Sequence, residues 1–220
     1  MSNEDSGCMI KILIGLAIIL VLGGGGCFYA VYWGIGKAYE FAAISVDEIV
    51  NTSLDESALT DDEKKGIKAS VKKLTDKLRN REIEMEQFAK IPTVLENDLA
   101  SQYIVLLNFS RKHIAQSGLS DAEKSDGMRT VQRVMRGYAD NKISSINDID
   151  STLPIETVTT TTTEGTTYTT TKIKEKLTDD EIKETLTSLK KIADDAGVED
   201  ASFEVDIVKE VDKIIEAIIK

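Results

Sequence analysis

Few residues in this chain are of types that do nucleophilic or metal chemistry, and their placement argues against it. His113 is the only histidine, and the two cysteines are Cys8 and Cys27. Most zinc sites need several histidines or cysteines within one domain, and a nucleophilic triad would have to be built on His113 alone. Arg111, Lys112 and His113 precede Gly118 at the end of an apolar-periodic segment. Cations there complement the negative end of a helix dipole, and glycine suits the position past the last turn. The acidic run from Asp194 to Asp200 is the best place to look for calcium. An EF-hand loop alternates oxygen ligands and places glycine sixth. Counted from Asp194, the third, fifth and sixth residues are Ala196, Val198 and Glu199, so the pattern fails. It also fails from Asp76, where Leu78 and Arg81 stand third and sixth.

No phosphate-binding loop, dinucleotide fingerprint or Gly-x-Ser-x-Gly elbow is present. Two basic stripes, Lys65/Lys68/Lys72 and Arg129/Arg133/Arg136, lie off the apolar faces of their segments and read as solvated surfaces. Asp and Glu are so abundant that no pair stands out as a general acid and base. The sequence therefore assigns no catalytic, cofactor-binding or metal-ligating residue. Carboxylate-only chemistry stays as a minor reading.

The elements that would position any site announce themselves by their starts. Leu59-Thr60-Asp61-Asp62-Glu63, Leu119-Ser120-Asp121-Ala122-Glu123 and Leu177-Thr178-Asp179-Asp180-Glu181 are three versions of one signal. Each is a capping box, with Ser or Thr at the N-cap, Glu three residues on and an apolar residue just before. The acids meet the positive end of the helix dipole. Without gaps, 59–79 and 177–197 share ten identities in twenty-one positions, five of them beyond the box. The middle copy shares Lys64/Lys124, Val71/Val131 and Ile83/Ile143 with the first, and internal duplication is the favoured reading.

Apolar stripes follow the caps at helical spacing. They are Ile67, Val71, Leu74 and Leu78, then Met128, Val131, Val134/Met135 and Tyr138, then Ile182, Leu186, Leu189 and Ala193/Ala196. Between the first two lies 94–117, apolar on all sides from Tyr103 to Leu107 and expected to be the most buried helix. A shorter segment, 84–90, precedes it, before Pro92. Val208, Val211, Ile215 and Ile218 mark a last helix over 203–219. Phe41, Ala42, Val46 and Ile49 mark one face of 38–51. The stretch from Thr157 to Thr171 holds eleven threonines around Glu164-Gly165. β-branched Thr disfavours helix, so this is read as a linker or an exposed hairpin.

From Ile12 to Gly36 there is no Asp, Glu, Lys, Arg or His, and Lys11 and Lys37 bracket the run. A bilayer core of roughly 30 Å takes about 20 apolar residues in a helix. The run is too long for the apolar core of a cleaved signal peptide, and its flanks are wrong for one. Cys27 lacks the preceding Leu of a lipoprotein signal. Tyr29, Tyr32 and Trp33 sit at one end, where amphipathic rings favour the headgroup layer. Gly26, Ala30, Gly34 and Ala38 recur every fourth residue, a small-residue face through which two membrane helices could pack. Gly23 to Gly26 is a soft point within it.

Composition limits the partners. Net charge is −11, which repels phosphate backbones and argues against nucleic-acid binding. No cysteine lies beyond the run, so the remainder has no disulfide framework. The expected architecture is mainly α: a tail (1–11), a transmembrane helix (12–36), a helical domain (37–154), a Thr-rich linker or hairpin (155–176) and a third helical unit (177–220) packing on the bundle. The expected role is that of a single-pass protein of the cell membrane, with its C-terminal part extracytoplasmic, serving as a scaffold or interaction module without cofactor. It would self-associate through its membrane helix. The alternative is an extracytoplasmic ligand-binding or sensory domain.

Overall fold

The computed structural model describes residues 35–83, 87, 99–143, 151–161 and 167–219. Of these residues 70% are helical, so the fold is mainly α. They fall into two compact units. One is built around helix α2 and combines the described residues up to Ser101 with Asp206 onward; the other, built around helix α4, runs from Gln102 to Val205.

In the α2 unit, α1 (Ile35–Glu56) packs on α2 (Asp61–Arg79). The buried side of α1 is Ala43, Val46, Val50 and Leu54, spaced three, four and four. Of the face expected for this segment Val46 is buried, and the side chains of Phe41, Ala42 and Ile49 lie outside the described set. All four expected apolar residues of α2 are buried, together with Ser70 and Thr75. The last helix of the chain, named α6 below, lies along α2 as the third member of this unit.

Helix α3 (Leu99–Asn108), which enters the α4 unit at Gln102, continues into a π-helical turn, Phe109–Ile114, that packs on α4 (Asp121–Ala139). A single regular helix over 94–117 was the expectation. The wider turn, closed by Ala115 N–H donating to the Ser110 carbonyl at 3.0 Å, replaces its end. It turns Phe109, His113 and Ile114 inward. Strands β1 (Ile155–Thr161) and β2 (Thr167–Ile173) then form an antiparallel hairpin from Ile155↔Ile173 to Thr161↔Thr167. Helix α5 (Asp179–Asp195) lies along α4, and α6 (Ile207–Ile219) ends the chain. The last helix starts four residues later than Phe203, its expected start.

The three capping boxes form as expected. Thr60, Ser120 and Thr178 each accept from the amide of the Glu three residues on, and that Glu accepts from the cap's own N–H. The ends of these helices also repeat. Arg81, Asn141 and Gly197 stand past the last turn at φ 59°, 52° and 60°. In each case the N–H of the next residue reaches back to a carbonyl in the last turn: Glu82 to Lys77, Lys142 to Gly137 and Val198 to Ala193. This is the Schellman arrangement. A buried apolar residue follows each: Ile83, Ile143 and Val198.

The two central helices match in cap, length and six buried places. Thr60 caps α2 and Ser120 caps α4, 60 residues on, and each helix has 19 residues. Ile67/Gly127, Ser70/Thr130, Val71/Val131, Leu74/Val134, Thr75/Met135 and Leu78/Tyr138 are buried pairs at that spacing. The turn before each cap repeats as well. Ser57 donates its hydroxyl to the Leu54 carbonyl and Ser117 donates to Ile114, both at 2.7 Å. Three expected inward residues are displaced, one of them on α6, where Ile207 rather than Val208 is buried. Gly127 rather than Met128 is buried on α4, and Thr185 rather than Leu186 on α5. The Leu186 side chain instead covers Gly127 across the helix pair.

Candidate functional site: a charged clasp between α4 and α5

The described residues bring a basic stripe and an acidic segment together where α5 ends against α4. The three arginines of the basic stripe are here, and so is the acidic segment after α5. Arg129 Nε pairs with Asp200 at 2.9 Å, and Arg136 pairs with Glu199 at 3.2 Å. Arg133 lies between them. Its Nη2 donates to Asp194 at 2.9 Å and to the Val198 carbonyl at 2.6 Å. Lys142 adds a bond to the Gly197 carbonyl at 3.1 Å. In the sequence the arginine stripe reads as a solvated surface and the acidic segment as a failed calcium loop. Together they are an ion-pair network within one unit.

Local structure builds the clasp. The Schellman turn at Gly197 reverses the chain and aims the carbonyls of Gly197 and Val198 back toward α4. Val198 itself is buried. Arginines 129, 133 and 136 lie three or four residues apart, so they share one side of α4. The Arg133 side chain is only 10% exposed, whereas Asp194 is 55% exposed. A planar, always-charged guanidinium is suited to such a site because its fork serves two acceptors at once. Its Nε is buried and has no hydrogen-bond partner among the described atoms.

The other end of the α4–α5 pair is held by its caps. Lys183 pairs with Glu123 of the Ser120 box at 3.0 Å. The Asp179 carboxylate accepts from the Gly118 amide at 2.9 Å. Lys174 pairs with Glu181 at 2.8 Å. The hydroxyl and amide of Ser120, and then Lys183, lower the Glu123 pKa to about 2. Glu181 is likewise lowered to about 2, by Lys174 first and then by Thr178. His113, expected to meet the helix dipole as a cation, is buried in the π-helical turn with the Phe109 ring 6.1 Å away. Burial first, and Lys112 second, push its pKa down, which favours the neutral imidazole.

Chemically, this arrangement fastens helices. The carboxylates that an ion would use are engaged by arginines. Among the described residues no group of three or more His, Cys, Asp or Glu is placed to hold a metal ion. Of the proposed membrane-helix contact face, Ala38 lies in α1, while Gly26, Ala30 and Gly34 lie outside the described residues. The uncharged run is also outside them except for Ile35 and Gly36. Among the described residues no helix is long and apolar enough to cross a membrane.

Fold and clasp together define a class: an acidic, mainly helical protein whose described residues form two units, each centred on a box-capped helix. Compared with known families, curated proteins and solved structures, the chain matches none.

Proposed function

We propose that this chain is a single-pass membrane-anchored helical scaffold whose two units serve protein–protein association. One observation carries the reading. The uncharged run from Ile12 to Gly36, bracketed by Lys11 and Lys37, overlaps α1 in sequence at Ile35 and Gly36. α1 then buries Ala43, Val46, Val50 and Leu54 in the α2 unit. An anchor joined to a packed helix would hold that unit close to the bilayer. The clasp supports the scaffold half of the reading, since its charges are spent on fixing α5 to α4. We place the units on the extracytoplasmic side, which would set Tyr29, Tyr32 and Trp33 in the outer headgroup layer.

Flotation with liposomes, followed by extraction at alkaline pH, tests the anchor. The full chain should float and resist extraction, and a chain lacking 12–36 should stay in the aqueous phase. Extraction of the full chain, or flotation of the deleted one, overturns the anchor. A reporter fused after Lys220 tests the side: activity only in the cytoplasm would reverse the orientation.

A further inference from the structure

The Thr-rich hairpin takes no part in the clasp, and its backbone decides what it can do. Lys174 N–H donates to the Pro154 carbonyl at 3.0 Å, which makes 154 and 174 a hydrogen-bonded pair in the same register as the ladder. Such pairs alternate with non-bonded ones in an antiparallel ladder. Glu156, Val158 and Thr160 therefore direct their N–H and C=O groups toward β2. Ile155, Thr157, Thr159 and Thr161 direct theirs outward. Among the described residues the sheet has two strands, so no third strand takes up this outer row. A two-stranded hairpin alone is marginal in water. Natural sheet edges are blunted by lysine, proline or bulges. Between Thr157 and Thr161 there is none of these, only Thr and Val, which favour strands.

We propose that the outer edge of β1 is an association surface that pairs antiparallel with β1 of a second copy of this chain, in twofold register about Val158. This is the one twofold register that uses every outward residue, joining Ile155 to Thr161 and Thr157 to Thr159 of opposite copies. It places Glu156 opposite Thr160, so no like charges meet despite a net charge of −11. It places Val158 opposite its own copy, a β-branched pair at the non-bonded spacing. β2 could pair with itself only about Thr170, without an apolar residue at the centre. The surface is separate from the small-residue face of the membrane helix and deepens the self-association reading without needing that face.

The test uses the full chain in detergent micelles with Cys8 and Cys27 replaced by serine. V158C should cross-link to a disulfide-bonded dimer, because residues at a non-bonded antiparallel site lie about 4.5 Å apart at Cα. T159P removes an outward N–H, which the hairpin itself does not use, and should reduce cross-linking at least tenfold. T169P makes the same change on the outer edge of β2, at the same local cost, and should leave the V158C cross-link in place. Absence of the V158C cross-link overturns the proposal. So does a cross-link that survives T159P, or one that T159P and T169P reduce equally. Flotation of the same variants reads the anchor independently, so failure of one does not pass for failure of the other.

Discussion

Lys73 and Arg133 occupy the same place in two units of the same plan, and the difference between them shows how much one side chain decides. Each is the thirteenth residue of its box-capped helix, and each reaches an aspartate of the third helix, Asp212 or Asp194, at 2.9 Å. Lys73 is 62% exposed and Arg133 10%. A solvated ion pair contributes about 0–1 kcal/mol, because water already satisfies both partners. A buried guanidinium that also serves a main-chain carbonyl has no solvent to fall back on, and that carbonyl loses its donor if the guanidinium is removed. One position thus fastens the α4 unit and merely decorates the α2 unit.

The largest expected effect follows. Arg133→Ala should lower the stability of the α4 unit by about 2–3 kcal/mol, from the lost charge-assisted bonds and the lost packing of the stem. Lys73→Ala should change the α2 unit by no more than about 0.5 kcal/mol. Hydrogen exchange resolved by residue reads both in one protein, because α4 amides report one unit and α2 amides the other. Equal losses at the two positions would break the comparison. Arg133→Met, which keeps the stem, should recover part of the loss.

A second contrast lies at Gly66 and Gly127, each covered by a side chain of the third helix of its unit. A Cβ at Gly66 would lie 2.6 Å from Val208 Cγ2 and 2.8 Å from its other methyl. A Cβ at Gly127 would lie 2.8 Å from Leu186 Cδ1, the far tip of a flexible chain. Val is held at χ1 and cannot swing aside. Replacing helical Gly by Ala gains about 1 kcal/mol in propensity, and overpacking costs about 1–3. Gly66→Ala should therefore be net destabilising by about 1 kcal/mol, while Gly127→Ala should be neutral or slightly stabilising. Thermal unfolding of the two variants gives the signs, and a reversed order would mean that α6 shifts more readily than α5.

These contrasts show what the amino-acid sequence made legible. Helix starts were legible at Thr60, Ser120 and Thr178 because a capping box is completed within four residues, without help from the rest of the chain. The helix ends were harder. Gly197 and Asn141 are residue types that suit a helix stop, but Arg81 adopts the same positive φ without advertising it. The Thr-rich arms were legible as a candidate hairpin, though only the register shows which amides face out. The clasp was not legible. Arg133 and Asp194 are far apart in sequence, and each looks like an ordinary charge on a helix until α5 is laid along α4. The swap of Met128 for Gly127 at the buried position has the same origin. A one-residue shift of the apolar stripe is invisible until a partner such as Leu186 shows where the close approach falls. The π-helical turn after α3 likewise depends on burying Phe109 and Ile114 together, and it carries His113 inward with them.

His113 gives an intermediate prediction confined to the α4 unit. Its pKa is lowered below 6.5 by burial. A histidine that resists protonation when folded gains its proton more readily when unfolded, so stability falls as pH drops below about 6.5. The α2 unit has no histidine at all. Between pH 7 and 5 the α4 amides should therefore lose protection relative to the α2 amides. His113→Leu should remove that relative loss; if the loss persists in the variant, other groups are responsible.

The smallest effect concerns the Ser120 capping box and asks whether local or long-range partners hold it. The Ser120 box is tied to α5 through Glu123 and Lys183, and the folded-state pKa of Glu123 is lowered from 4.5 to about 2. A carboxylate with a depressed pKa adds stability that is complete above the unfolded value. That stability disappears as pH falls from about 4.5 through about 2. Lys183→Ala removes the third contribution and leaves the Ser120 hydroxyl and amide in place. The pKa of Glu123, followed by carboxyl-carbon NMR, should therefore move only part of the way back toward 4.5. Ser120→Ala removes the first contribution and should move it further, besides costing about 1 kcal/mol as a lost N-cap. If Lys183→Ala alone restores an ordinary value, the long-range pair rather than the local box holds this helix start. The start of α4 would then depend on α5, as the clasp at the other end of the pair already does.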